Sequence, residues 1–236
     1  MNVKMKVILW DIDGTLFDFE AAEKAAIRQC FSSFELGECT NEMLTTYQTI
    51  NREYWKRLER GDISKKDALV ARFYDLLEKY GLDTSVAPQI NAEYQVRLGD
   101  TICFNKNGLE TVKTCKGKVL QYAVTNGTKV AQDRKLRNSG LIDLFDGVFI
   151  SDEIGIEKPA IGFFDQVFKA IGEYDKSEIL IVGDSLTSDI QGGNNVGIVT
   201  CWFNPLGKTN DLGLHIDYEI SDLSQVLDIV AINSGE

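Results

Sequence analysis

Apolar positions follow two different patterns along this chain, and the change between them organises the reading. Val7-Ile8-Leu9-Trp10 is an unbroken apolar run, the signature of a short strand buried on both faces. From about residue 20 to residue 100 the apolar positions recur with helical spacing instead. Ile27, Phe31 and Phe34 make one stripe, Met43, Tyr47, Ile50, Tyr54 and Leu58 a second, and Leu69, Phe73, Leu76, Leu77 and Tyr80 a third. A single apolar stripe per helix predicts amphipathic helices that bury one side. Gly37, Gly61 and Gly81 fall where helix C-terminal caps are needed, and Ser64 followed by Asp67 has the form of a capping box. A small helical bundle is expected here.

Beyond about residue 108 strands and helices alternate. Lys118–Thr125 reads as a strand and Thr128–Ser139 as a helix closed by Gly140. Gly147–Ser151 is the next strand and Ile161–Ala170 the next helix. Ile179–Asp184 is an apolar run ending in an acid, followed by a helix from about Ser188 to Asn194. Val199–Phe203 is a further strand, and Leu223–Ile232 a final helix. Such alternation predicts an α/β fold, a parallel Rossmann-like sheet with helices on both faces. The first strand belongs to that sheet, which makes the helical region an insertion between its first and second strands.

The chain has 236 residues, enough for one good core and a second smaller one. Its net charge of −11 argues against a nucleic-acid polymer or an anionic membrane as partner. No apolar run reaches membrane-spanning length. The run after Lys4 and Lys6 is too short for a signal peptide and meets Asp11 at once. The five cysteines, Cys30, Cys39, Cys103, Cys115 and Cys201, are odd in number and show no CxxC spacing. They read as reduced thiols of a cytoplasmic protein. With His215 the sole histidine, His-based nucleophilic or metal chemistry is a poor match. Oligomeric state leaves no mark in the sequence, and a monomer is the default.

Carboxylates remain. Asp11 and Asp13 follow the first strand at i and i+2 and so start on one side of the chain, with Gly14 and Thr15 turning it sharply. Two like charges so close invite a cation. The bland alternative is an Asp-rich turn. Thr125-Asn126-Gly127 closes the second strand and offers polar groups to an anion, although both residue types also suit a helix N-cap. Lys158-Pro159 precedes a helix, with Pro159 expected near its first turn. Lys158 could neutralise clustered acids, or be an ordinary surface lysine. Asp184 ends the apolar strand, and Asp189 lies near a helix start where the dipole alone would favour it. In a parallel sheet the carboxyl ends of the strands share one edge, where open α/β sheets bind ligands. Asp184 with Asp11 and Asp13 would put three acids there, which suits a hard divalent cation such as Mg²⁺.

Asp11-Ile12-Asp13-Gly14-Thr15, Thr125-Asn126-Gly127, Lys158-Pro159 and Gly183-Asp184-Ser185 through Asp189 resemble the four ordered motifs of the haloacid dehalogenase-like (HAD) hydrolase superfamily. The insertion resembles the C1 cap of its subfamily I. The resemblance implies a core domain of residues 1–18 and 105–236 and a helical cap of residues 19–104. It implies Asp11 as nucleophile, forming an aspartyl-phosphate, and Asp13 as general acid and then base. Mg²⁺ would be held by Asp11, the backbone carbonyl of Asp13 and Asp184, with Asp189 acting from behind these ligands. Thr125, Asn126 and Lys158 would hold the phosphoryl oxygens. An acid at position 13, which the dehalogenases lack, favours phosphate transfer over carbon–halogen cleavage.

Within the cap, Tyr47–Trp55 and Gly61-Asp62-Ile63 resemble bacterial 5′-nucleotidases that favour pyrimidine nucleoside monophosphates, as do Ser151–Gly155 and Cys201–Asn204. A small phosphorylated metabolite, a nucleoside monophosphate, is the expected partner. Sugar phosphates, phosphoglycolate, or a phosphomutase of the β-phosphoglucomutase type are the alternatives, with a binding protein that has lost catalysis a more remote one. Tyr54, Trp55 and Phe104 are candidates for stacking on a base, although helical periodicity places Tyr47 and Tyr54 equally well in the bundle core.

Overall fold

A computed structural model describes residues 4–231 of the chain. A six-stranded sheet in the order β3-β2-β1-β4-β5-β6 forms its centre, with every neighbouring pair parallel. β1 is Val7–Trp10, and the chain then leaves the sheet for four helices: α1 Phe19–Ser33, α2 Asn41–Glu59, α3 Lys65–Lys79 and α4 Ala87–Asp100. It returns through α5 Gly108–Cys115, β2 Leu120–Thr125, α6 Lys129–Asn138 and β3 Gly147–Ile150. Next come α7 Ser151–Ile154, α8 Ile161–Ile171, β4 Ile179–Gly183, α9 Gln191–Val196, β5 Val199–Phe203, β6 Tyr218–Ile220 and α10 Val226–Ile229.

The apolar runs fold as strands because both sheet faces are covered. Ile8 and Trp10 of β1 face a core with Val112, Leu136 and Val226 from α5, α6 and α10. Val7 and Leu9 face Phe163, Phe164 and Val167 of α8 on the other side. The four inserted helices bury their stripes in a separate cluster around Phe31, Tyr47, Phe73 and Tyr94. The doubly covered sheet with an inserted helical cap is therefore as expected. No helix among the described residues is long and apolar enough to cross a membrane.

Two crossings join sheet and cap, and they are bonded to each other. Asp18 N–H donates to the Cys103 carbonyl at 2.8 Å, and Asn105 Nδ2 to the carbonyl of Thr15 at 2.8 Å. Phe17 and Phe104 stack beside them with ring centroids 4.6 Å apart. Phe104 is thus a packing residue of this crossing. We propose that the two units meet at this crossing, close to residues 18 and 104. The cap also rests on α6: at Gly99 of α4 a Cβ would come 2.7 Å from the Ala131 carbonyl, so glycine permits the contact.

Several local expectations need correction. The final helix is a 3₁₀ turn, Leu223–Gln225, followed by α10 ending at Ile229; Ile232 lies outside the described residues. Ser151 begins α7 instead of ending β3. Pro159 precedes α8, whose N-cap is Ala160. The acid-bearing turn after β4 is a π-helix, Leu186–Ile190, before α9 begins. Such widened turns gather at functional sites because the extra residue re-aims a side chain.

Candidate active site

Strand register explains why residues distant in sequence meet. Trp10 pairs with Ala123 of β2 and with Val182 of β4, so Asp11 lies level with Val124 and Gly183. Thr125 and Asp184 are then one residue further on. β1 sits where the sheet order reverses, the edge at which open α/β sheets bind ligands.

Asp11 is buried, and its Oδ2 accepts the Thr15 hydroxyl at 2.9 Å. Lys158, 1% exposed, donates from Nζ to Asp11 Oδ1 at 2.8 Å, to Asp189 Oδ1 at 2.7 Å and to the Val124 carbonyl at 2.8 Å. The surface reading of Lys158 is therefore wrong. Asn126 clamps the same residue through its backbone: its Nδ2 donates to the Lys158 carbonyl, and its Oδ1 accepts the Lys158 N–H, both at 2.8 Å. Thr125 accepts the Gly127 N–H at 3.0 Å. Neither residue caps α6, a role taken by Thr128.

Carboxylate oxygens of Asp11, Asp184 and Asp189 all lie within 4.8 Å of one another. Burial pushes the Asp11 carboxyl well up, and the nearby Asp189 and Asp184 charges add to this against the pull of Lys158. Asp184 is pushed up to about 7, by burial and then by Asp189. Burial would lower Lys158, but the Asp11 and Asp189 charges more than offset it and hold it raised. Among these three acids Lys158 bonds two, Asp11 and Asp189, and makes no bond to Asp184. Their hard oxygen donors and surplus negative charge fit a divalent cation such as Mg²⁺. Both oxygens of Asp189 already accept, one from Lys158 and one from Ser185 N–H at 3.1 Å. Both oxygens of Asp11 are likewise engaged, whereas the Asp184 carboxylate accepts only the Thr15 hydroxyl at 3.5 Å, which makes Asp184 the freest of the three. Gly14 permits the approach of Asp184, since a Cβ there would come 2.6 Å from Asp184 Oδ1.

Asp13 points elsewhere. Its carboxylate is ion-paired with Lys135 and accepts Gln132 Nε2 at 2.6 Å. Neither partner, both on α6, is marked in the sequence by a motif. The available signal was positional: Gln132 and Lys135 share the inward face of α6 with Ala131 and Leu136, where apolar side chains are expected.

A cleft of about 680 Å³ runs from Asp13, Gly14 and Asp184 to Glu23, Gln48 and Trp55 of the cap. A smaller one, about 230 Å³, reaches Asp11, Thr125 and Asn126, and Trp55 lines it too. Among the proposed stacking residues Trp55 alone lines either cleft. Tyr54 instead donates to Asp75 at 2.7 Å, and Tyr47 is buried in the cap core.

Glu23, also unforeseen, is 2% exposed. Its Oε1 accepts Asn51 Nδ2 at 2.8 Å, and Asn51 Oδ1 accepts Arg72 Nη1 at 2.6 Å. Burial pushes Glu23 up to about 7, against the pull of the nearby Gln48 amide and the Arg72 charge.

A doubly covered parallel sheet, an inserted cap and buried acids at the sheet's switch point define a capped α/β hydrolase. The chain belongs to the haloacid dehalogenase-like hydrolase family, whose model matches residues 5–197. It is 33% identical over 231 residues to the HAD-hydrolase YfnB of Bacillus subtilis, covering 98% of this chain and 97% of YfnB. The crystal structure of magnesium-bound YfnB superposes with a TM-score of 0.91, over 98% of this chain and all of that one. The pyrimidine 5′-nucleotidase PynA of Streptococcus pneumoniae is 34% identical, covering 97% of this chain and 96% of PynA. The pyrimidine 5′-nucleotidase YjjG of Escherichia coli is 27% identical, covering 95% and 97%. The protein is an enzyme, a phosphoric monoester hydrolase by this kinship.

Proposed function

We propose that the protein hydrolyses nucleoside 5′-monophosphates, pyrimidine nucleotides foremost, with Asp11 as nucleophile. The observation that carries the chemistry is Asp11 itself, a buried carboxylate fixed by Thr15 and Lys158, lining the smaller of two clefts that share Asp13, Asp184 and Trp55. Asp11 attacks phosphorus in line, the bond to the leaving oxygen breaks, and an aspartyl-phosphate forms. Asp13 protonates the leaving alkoxide and then takes a proton from the water that attacks the aspartyl-phosphate; the bond from phosphorus to the Asp11 oxygen breaks, releasing inorganic phosphate and the free Asp11 carboxylate. Lys158 balances charge on the transferred group, and Thr125 and Asn126 border the cleft that receives it.

Asp11, Asp184 and the Asp13 backbone carbonyl would hold Mg²⁺, with Asp189 fixing Lys158 behind them. When bound, the ion supplies positive charge against the phosphoryl oxygens. The two 5′-nucleotidase relatives, each matched over nearly its whole length, support nucleotide substrates. Trp55, which lines both clefts, would be the residue to stack on a base.

The test is phosphate release from dUMP, dTMP, UMP, AMP, β-glucose-1-phosphate and phosphoglycolate, with Mg²⁺ and with EDTA. Mg²⁺-dependent preference for pyrimidine nucleotides is expected, and Asp11→Asn should abolish it. Preference for a sugar phosphate or phosphoglycolate would overturn the substrate. Full activity of Asp11→Asn would overturn the nucleophile.

A further inference from the structure

Glu23 stands where an apolar residue belongs. It shares the buried face of α1 with Ala26, Ile27 and Cys30, and a carboxyl placed there is costly unless something uses it. Its position is fixed without ambiguity. Arg72 can only donate, so Asn51 must present Oδ1 to Arg72 and its Nδ2 to Glu23 Oε1. That leaves Glu23 Oε2, which has no hydrogen-bond partner among the described residues. Gln48 Nε2, on the same cleft wall, is buried and also has none. The Gln48 amide lies near enough to Glu23 to draw its carboxyl down yet makes no close hydrogen bond to it, so this acceptor and donor stand beside each other on the cap wall of the cleft whose other end is Asp13, Gly14 and Asp184. Glu23 lies four residues into α1, about 6 Å along the axis from its start at Phe19. The phosphoryl end and this polar pair therefore belong to one substrate volume.

We propose that Glu23 and Gln48 read the base, selecting a ring edge that offers an N–H beside a carbonyl oxygen, as N3–H and its flanking carbonyls do in uracil and thymine. Glu23 Oε2 accepts the ring N–H, and Gln48 Nε2 donates to the carbonyl. Asn51 and Arg72 serve as positioning residues that keep Glu23 Oε2 turned to the ligand. This rests on the nucleotidase reading, and deepens it by naming the specificity residues. Hydrogen-bonding sites of this kind discriminate strongly, because a ligand lacking the matching group leaves buried polar atoms unpaired.

The experiment compares kcat/KM for UMP, 3-methyl-UMP, CMP and p-nitrophenyl phosphate at about pH 8, where Glu23 is ionised. In the unaltered enzyme, 3-methyl-UMP should be at least about tenfold poorer than UMP, since methylation removes the N–H. Glu23→Gln turns the open acceptor into a donor, because Asn51 still claims Oε1. It should lower the UMP to p-nitrophenyl phosphate ratio at least about tenfold and raise CMP relative to UMP. Gln48→Ala should lower the same ratio. Equal use of UMP and 3-methyl-UMP by the unaltered enzyme would overturn the assignment without requiring any variant to fold. So would equal losses on UMP and p-nitrophenyl phosphate in both variants, the mark of a structural role. Failure of the nucleotidase reading looks different: the unaltered enzyme would then show no preference for UMP over p-nitrophenyl phosphate.

Discussion

Asp13 and Lys135 form an ion pair across 122 positions of sequence, and the lysine side chain has no exposed surface. Lys135 also lies over the Phe17 ring, 5.4 Å from its centroid. Its charge is therefore answered by Asp13 in otherwise apolar surroundings. Removing one partner of such a pair strands the other. Asp13→Asn should cost about 3 kcal/mol of stability in addition to its effect on catalysis. Adding Lys135→Met should restore most of that stability and none of the activity. Urea unfolding of both single variants and the double variant closes the cycle. Additive losses would mean that the two residues are not coupled.

The turn after β1 leaves no room for a side chain. Gly14 has φ +92°, and a Cβ would come 2.6 Å from Asp184 Oδ1. Gly14→Ala should therefore displace the Asp184 carboxylate as well as strain the backbone, at a cost of about 1–3 kcal/mol. Activity should fall much further than stability. A crystal structure of the variant with Asp184 unmoved, or kcat/KM within about twofold of the parent, would contradict this.

Glu23 makes stability depend on pH. Its carboxyl is raised from 4.5 to about 7 by burial, only partly countered by Gln48 and Arg72. The unfolded chain gives up this proton at lower pH than the native protein does. Between those two values the native state binds more protons, so stability falls as pH rises through the window. The loss amounts to at most about 3 kcal/mol between about pH 5 and pH 8. Glu23→Gln should remove this component. Urea midpoints at the two pH values, compared between parent and variant, measure it, and equal pH dependence in the two proteins would disprove it.

What was legible in the sequence divides along physical lines. β1 and β4 are buried on both faces, so their continuous apolar runs stand out, and the acids ending them follow directly. β6 is three residues at the sheet edge, Tyr218-Glu219-Ile220, with only Ile220 buried; no apolar run marks it. α5 is eight residues long and α7 four, too short for helical periodicity to emerge. The site residues that ended strands were readable because the parallel sheet gathers strand ends. Lys135, Gln132 and Glu23 act from helix faces, where a polar residue on an apolar stripe marks something unusual without saying what it meets. Only the three-dimensional pairing of α6 with the β1 turn, and of α1 with α2, supplies the partner.

The cap is tied to the core over the active site by Lys65 of α3. Its Nζ donates to Ser151 Oγ at 2.8 Å and to the Gly127 carbonyl at 3.2 Å, with Asp152 and Glu157 within 4 Å. Gly127 lines the smaller cleft with Thr125 and Asn126, so this bond joins the cap to the wall of that cleft. Burial lowers the Lys65 ammonium while Asp152 and Glu157 pull it back up. Lys65→Met keeps the side-chain length and removes the bonds. A hydrogen bond from a charged donor contributes about 1.5–3 kcal/mol. If the tie holds the cap against the core during turnover, kcat/KM should drop about tenfold or more, with thermal stability much less affected because α4 still packs on α6. The drop should appear with nucleotides and with p-nitrophenyl phosphate alike, since Lys65 bonds the Gly127 carbonyl beside Thr125 and Asn126 and makes no bond to Glu23. Unchanged kcat/KM on both substrates would show that closure does not depend on this lysine.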